Sequence, residues 1–293
     1  MIAVWMFLMS TVASAEPGLA WAWKPGEPVR YHMEILIESP SGYMWFAEDN
    51  EHARSVRSII IVEVTCEAQP AGKLWQIDCV VDEIAFRGAA VPGEEAKLAK
   101  ILPANEARMK GKTVRFRMGT DGRIRKFEFK GFDTRNSRLA AIIDGLRQQL
   151  RRAFTPLDLQ LPKKGDDQGK KWSQKGSPMI FELMGSQGTA GGLKLKHHVE
   201  RRSVHRARIV TDGYATVSSG LNMEAGPSSL IRITAAGRTQ FNITTGLIDW
   251  AEVTTRSEYG ASNFDGLGGA GPSSFSGWLG RIDAEGNHLQ PQP

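Results

Sequence analysis

Six histidines are spread over the 293 residues, and three of them fall close together: His197 and His198 are adjacent, and His205 follows. Imidazoles this close are the first candidates for metal ligation or acid–base chemistry. The flanking residues read as a strand, however, and adjacent strand side chains point to opposite faces. His197 and His198 therefore cannot readily share an ion, and no metal set is assigned. Asp166-Asp167 lies in a lysine-rich loop without the oxygen-ligand spacing of a calcium loop. Gly185–Gly192 could turn backbone N–H groups toward an anion, but it lacks the Lys-Ser/Thr that completes a phosphate loop. G-x-S-x-G, S-x-x-K and H-E-x-x-H patterns are absent. Catalysis would require a nonlocal triad drawn from His32, His52, His197, His198 or His205. The primary expectation is a non-enzymatic protein with no catalytic residue and no cofactor.

Two cysteines, Cys66 and Cys79, are the only ones in the chain. They flank Pro70-Ala71-Gly72-Lys73, and the segments on either side, Ser55–Thr65 and Leu74–Arg87, read as strands. If Gly72-Lys73 forms the turn, Cys66 faces Cys79 directly. Opposed residues in an antiparallel pair have Cβ atoms about 4.5–5.5 Å apart, close to disulfide range. The spacing predicts a structural disulfide; it is neither a CxxC redox motif nor a zinc set.

Charge is localised. Residues 16–106 carry 15 acidic and 8 basic side chains, whereas residues 107–152 carry 14 basic and 4 acidic. Arg115, Arg117, Arg123, Arg125 and Lys126 concentrate on one predicted hairpin, Thr113–Met118 and Arg123–Phe129, joined by Gly119-Thr120-Asp121-Gly122. Arg115 and Arg117 share a face opposite Val114, Phe116 and Met118, which describes a half-buried sheet with a basic outer side. That side is a candidate binding surface for an anionic lipid or another acidic envelope polymer; no aromatic stacking pattern accompanies it, and nucleic acid is not expected. A face that serves only solubility is the plainer reading of the same residues.

The elements that must position these residues are mostly short strands. Further strand-like segments occur at Val29–Glu38, Met179–Leu183, Leu193–Val199, Val204–Ile209, Tyr214–Met223, Ser229–Thr234, Thr239–Thr244 and Leu247–Arg256, with turn residues between them. Gly93–Met109 reads as a helix split by Pro103. Asn136–Phe154 is the strongest helix, with Leu139, Ile142, Ile143, Leu146, Leu150, Ala153 and Phe154 on one stripe. The pattern predicts an α+β, mainly antiparallel β fold, a curved sheet or half-barrel packed on one amphipathic helix. Val114–Asp133 and Leu230–Asp249 look alike, each reading as a strand, a Gly-Arg turn (Gly237-Arg238 in the second), a Phe-containing strand, a Gly and an Asp. They mark either duplicated halves, 16–158 and 159–259, of the β-rich region 16–259 or, the plainer reading, two ordinary hairpins. Residues 260–293 are rich in Gly, Ser and Pro and read as a flexible tail.

Residues 1–15 have the form of a secretory signal peptide: an apolar run from Ile2 to Met9, then Ala13-Ser14-Ala15 before Glu16-Pro17. The run is shorter than the roughly 20 residues needed to span a bilayer. The expected location is periplasmic or secreted, with no transmembrane span after cleavage.

With Val114–Phe129 as a hairpin, Leu139–Phe154 as a covering helix and Phe241–Val253 as late strands, the chain resembles exported bacterial β-rich proteins. More distantly, it is similar to LolA-like periplasmic lipoprotein carriers, over about residues 29–256. That resemblance implies a curved sheet that wraps a helix around an apolar cavity, and a carrier or binding role for a lipid-like ligand without catalysis. The partners implied are anionic lipid, an envelope polymer or an envelope protein. The alternative is a structural or interaction protein with a filled core.

Overall fold

The structure, a computed structural model, describes residues 18–38, 57–88, 95–132, 150–162, 171–175, 194–219, 229–259 and 273–290, together with Ile143, Leu146 and Arg147. The expectations for the leader, His52, Asp166-Asp167, Met179–Leu183, Gly185–Gly192 and most of the 136–154 helix fall outside the described residues.

One open antiparallel sheet of eleven strands dominates. Its first wing is a meander: β1 (Val29–Glu38), β2 (Arg57–Ala71), β3 (Leu74–Gly88), β4 (Thr113–Met118) and β5 (Ile124–Lys130). Its second wing runs β6 (Lys171–Lys175), β7 (Lys194–Arg202), β8 (Arg206–Ser219), β9 (Ser229–Asn242), β10 (Leu247–Tyr259) and β11 (Ser273–Ile282). The wings join where β11 pairs with β1, so β5 and β6 are the two outer edges. The predicted mainly antiparallel sheet is thus observed, curved and not closed.

Alternation explains which side is the core. Ile60, Val62, Val64, Cys66 and Ala68 on β2 are all buried, as are Tyr31, Met33 and Ile35 on β1 and Val114, Phe116 and Met118 on β4. Side chains two apart share a face, so each strand contributes one apolar row to the concave side. That side is covered by the chain that crosses from edge β5 to edge β6. Among its described helical residues, Ile143, Leu146, Leu150 and Ala153 are buried, followed by Phe154. Arg147 and Arg151 are not simply solvated cations at a helix end: their guanidinium groups lie over the Phe132 and Phe127 rings, at 5.5 and 5.4 Å. Below the helix, a 3-10 turn over Thr155–Leu157 is fully buried. Its continuation ties the two edges together. Leu161 N donates to Asp121 O in the β4–β5 turn (2.8 Å), and Gln160 N donates to Gln174 Oε1 on β6 (3.1 Å).

α1 (Glu95–Met109) packs on β3, and Phe86 N donates to its Glu106 Oε1 at 2.8 Å. The helix is continuous through Pro103, which the sequence reading used to split it. Cys66 pairs with Cys79 in register and the two are disulfide-bonded, with Gly72 at φ +68° in the turn. A 13-residue separation constrains the unfolded chain by about 3 kcal/mol. The Cys66→Ala/Cys79→Ala variant is therefore expected to lose about that much stability in urea unfolding, and reductant is expected to produce the same loss in the native protein.

Three readings are corrected. Gly237-Arg238 is no turn: both residues lie inside β9, and the two short strands drawn around them are one. A Cβ on Gly237 would stand 2.8 Å from Glu252 O, so the glycine marks close approach of the neighbouring strand. Likewise the two segments drawn on either side of Gly213 are one strand, β8. Residues 273–282, assigned by composition to a flexible tail, form β11 at the centre of the sheet. Phe275 and Leu279 carry its apolar row. Gly277 lies between them because the Phe275 ring and Val253 occupy the space a side chain would need, at 3.2 and 3.4 Å.

Candidate functional site

The basic hairpin is where the sequence placed it, on the convex side of β4 and β5. Arg115 and Glu128 stand opposite one another, as do Arg117 and Lys126. Arg115 forms a two-pronged pair with Asp78 on β3, both contacts at 2.5 Å. The Asp78 hydrogen bond chiefly raises the Arg115 pKa above the ordinary guanidinium value. Lys126 pairs with Glu128, whose carboxyl is held below its usual range mainly by that contact. Among the described residues, Arg117, Arg123 and Arg125 carry no ion pair. Arg125 is the extra residue at a bulge between Arg117 and Met118, which places two successive cations, Arg125 and Lys126, in solvent. The face presents three uncompensated charges rather than five.

A second polar group lies at the junction of the two wings. β10 is bulged between Ile248 and Trp250, so Ile248, Asp249 and Trp250 are buried in succession instead of alternating. The bulge sinks the Asp249 carboxylate to 2% side-chain exposure. Arg281 Nη2 donates to Asp249 Oδ1 at 2.5 Å, Asn242 Nδ2 donates to Oδ2 at 3.1 Å, and Arg206 Nε lies 3.5 Å from Oδ2. Tyr31 faces Arg281 across the β1–β11 pair. Its phenol is held well above the usual range by burial, an effect that Arg281 opposes and Asp249 reinforces. Tyr31 OH, Arg281 Nε and Thr245 Oγ1 are buried without hydrogen-bond partners.

Arg281 and Thr245 also line a cleft of about 310 Å³, at the low end of small-molecule sites. The cleft lies between the N-terminal segment, the β9–β10 turn and the end of β11. Val29, Leu247 and Ile282 give it apolar walls; Lys24 and Arg30 stand at it beside Arg281, with Glu27, which pairs with Lys24 at 3.2 Å, and Asp283 as the acidic lining. The N-terminal segment is fixed there by backbone and side chain. Ala22 N donates to Gly246 O at 3.0 Å, and Trp21 Nε1 donates to Leu159 O at 3.1 Å. Gly122, at φ +81°, leaves room for that indole; a Cβ would fall 2.1 Å from Trp21 Nε1.

His197 belongs to neither site. It is buried under the 155–157 turn, stacked on Trp172 at 5.3 Å. Gln174 Nε2 donates to Asp158 O (3.2 Å), so the amide oxygen faces His197 Nε2 (3.2 Å). An amide oxygen only accepts, so Nε2 carries the ring proton and Nδ1 accepts from Thr211 Oγ1 at 2.9 Å. Burial lowers the His197 pKa to about 4. The unfolded chain takes up this proton near pH 6.5, so between those values the unfolded state binds more protons. Stability is complete above about pH 6.5 and falls by about 3 kcal/mol on acidification to pH 4. Urea unfolding at stepped pH should show this loss, and His197→Gln should flatten the profile across that window.

Of the other described histidines drawn on for a triad, His32 lies on β1, His198 on β7 and His205 between β7 and β8. His205 Nδ1 meets Thr244 Oγ1 at 3.0 Å, whereas His32 Nδ1 lies 3.3 Å from Glu63 Oε1. Among the described residues no serine is hydrogen-bonded to a histidine, and both cysteines are in the disulfide. The Asn242 side chain of the glycosylation-like Asn242-Ile243-Thr244 triplet is engaged with Asp249 and accepts from Thr245 N. The sequence alone did not reveal the cleft. Its residues come from the N-terminal segment, β1, β2, the β9–β10 turn and the supposed tail, and only the β1–β11 pairing unites them. No helix among the described residues is long and apolar enough to cross a membrane. No known protein family matches the chain, and no curated protein matches it.

Proposed function

We propose that the protein is an exported, non-enzymatic binding protein of a bacterial cell envelope, and that the cleft beside Arg281 takes a small amphiphile with an anionic group. The cleft carries the reading: apolar Val29, Leu247 and Ile282 form its walls, and its charged lining of Lys24, Arg30 and Arg281 with Glu27 and Asp283 is cationic on balance, Lys24 being exposed and paired only with the equally exposed Glu27. The disulfide supports export, since such bonds persist in oxidising compartments. So does the leader-like sequence of residues 1–15. The uncompensated Arg117, Arg123 and Arg125 supply an outer surface suited to anionic headgroups.

The test is titration of a fluorescent fatty acid into purified protein, with native mass spectrometry of protein taken from its own host. Saturable binding is expected, weakened several-fold by Lys24→Glu and unchanged by Arg117→Glu on the distant hairpin. Ligand-free protein and no saturable binding would instead support the structural or interaction role. One observation favours that second reading: Leu146, Leu150 and Phe154 fill the concave side that a lipid carrier would leave open.

A further inference from the structure

The convex face carries a cluster that neither the cleft nor the basic hairpin uses. On β1, Tyr31 and Met33 point into the core, so His32 between them points out. Its partner across β2 is Glu63, which points out between buried Val62 and Val64. On its other side His32 faces Gly280 of β11, a residue with no side chain to cover it. The space above Gly280 is taken by Trp278, whose ring would stand 2.7 Å from a Cβ there, and by the returning chain at Leu289 O, 3.4 Å away.

That returning chain is held by its own turn. Asp283 N donates to Asn287 O at 3.0 Å, Leu289 N donates to Arg281 O at 2.8 Å, and the Asp283 carboxylate accepts from Asn287 N at 2.7 Å. The turn lays His288 over His32, ring centroids 4.4 Å apart, with Trp278 flanking both rings at 5.4 and 6.2 Å. One ligand atom from each of His32, Glu63 and His288 lies within 4.8 Å of the others, and all three side chains are half-buried.

The chemistry of this set is specific. Two imidazoles and one carboxylate are the ligands of three-donor zinc sites, which keep a fourth position for water or another ligand. Bonds of about 2.0–2.2 Å at a tetrahedral centre put donor atoms about 3.3–3.6 Å apart. His32 Nδ1 and Glu63 Oε1 already stand at 3.3 Å, so only His288, carried on a surface turn, must close in. Arg30 Nη2 lies 3.6 Å from Glu63 Oε2. It engages the second carboxylate oxygen and leaves Oε1 as the single donor, the role of an outer partner that orients a ligand. Imidazole-rich sites favour zinc, copper(II) or nickel over magnesium or calcium.

We propose that His32, Glu63 and His288 bind one divalent transition-metal ion, zinc by preference, and that the ion clamps the 283–289 turn onto the centre of the sheet. This goes beyond the binding function of the cleft and does not depend on it. The experiment uses the full chain without a histidine tag, stripped with chelator, dialysed and titrated with Zn²⁺ by calorimetry. One ion per chain is expected. His288→Ala and Glu63→Gln are each expected to weaken binding by about tenfold or more, since even outer-partner losses cost 10- to 100-fold at such sites. His205→Ala, on another loop, should leave binding unchanged. Cobalt(II) in place of zinc should give visible absorption of tetrahedral intensity that His288→Ala removes. The proposal is overturned if no ion binds, or if binding survives His288→Ala and Glu63→Gln undiminished. His288 follows the last strand and packs no core, so loss of folding in its variant is not expected; circular dichroism checks that point.

Discussion

Asp249→Ala is expected to destabilise the protein by about 3–5 kcal/mol, the range found when one member of a buried ion pair is removed. The size follows from what is left behind. Asp249 is almost completely enclosed, accepts from Arg281 and Asn242, and is ion-paired with Arg206. Truncation leaves the Arg281 guanidinium largely buried beside Tyr31, with its Nε already lacking a partner. The uncompensated cation, rather than the lost attraction, is the main cost. A double-mutant cycle separates the two: Arg281→Leu added to Asp249→Ala should restore a large part of the loss, because it removes the stranded charge and adds apolar surface. Asp249→Asn should cost less than alanine, since its side chain still accepts one hydrogen bond. Urea unfolding of the native protein, Asp249→Ala, Arg281→Leu, the double variant and Asp249→Asn decides the matter. A loss below about 1 kcal/mol for Asp249→Ala would mean that water reaches the pair and that it behaves as a surface contact.

The same cluster shows where the sequence stops being legible. The β2–β3 hairpin could be read to the residue because its turn, Gly72-Lys73, is local and fixes the register that brings Cys66 to Cys79. The β4–β5 hairpin was legible for the same reason, through Gly119–Gly122. Asp249 was not, because its burial depends on a bulge in β10 and on Arg281 from a strand 32 residues away. β11 was missed because Gly277 and Gly280 lower its apolar density, although those glycines are what admit the Phe275 and Trp278 rings. Gly237 misled in the opposite direction, mimicking a turn where two strands approach closely. His32, Glu63 and His288 share no local motif; only the pairing of β1 with both β2 and β11 assembles them. What local turns dictate was readable, and what the β1–β11 junction dictates was not.

Phe154→Ala tests how the concave side is filled, and a loss of about 3–5 kcal/mol is expected. Phe154 is fully buried, with its ring set edge-on to Phe116 and Phe127 at centroid distances of 5.8 and 5.7 Å. It joins the crossover helix to β4 and β5, and the next residues, Thr155–Leu157, lie buried against the second wing. A cavity at this point cannot collapse easily, because the sheet beneath is held in register and the chain above is tied to both edges by Leu161 and Gln160. Such an apolar cavity stays dry and accepts small apolar molecules. The variant should therefore bind benzene or xenon, detectable as a rise in melting temperature, while the native protein does not. Phe154→Leu should cost less than half as much and bind neither. These outcomes also bear on function. A helix whose anchor contributes several kcal/mol is part of a packed core, and ligand entry then belongs to the cleft at Arg281. If Phe154→Ala costs under about 1 kcal/mol, the helix is loosely seated, and an apolar ligand could displace it from the sheet as in a carrier that opens.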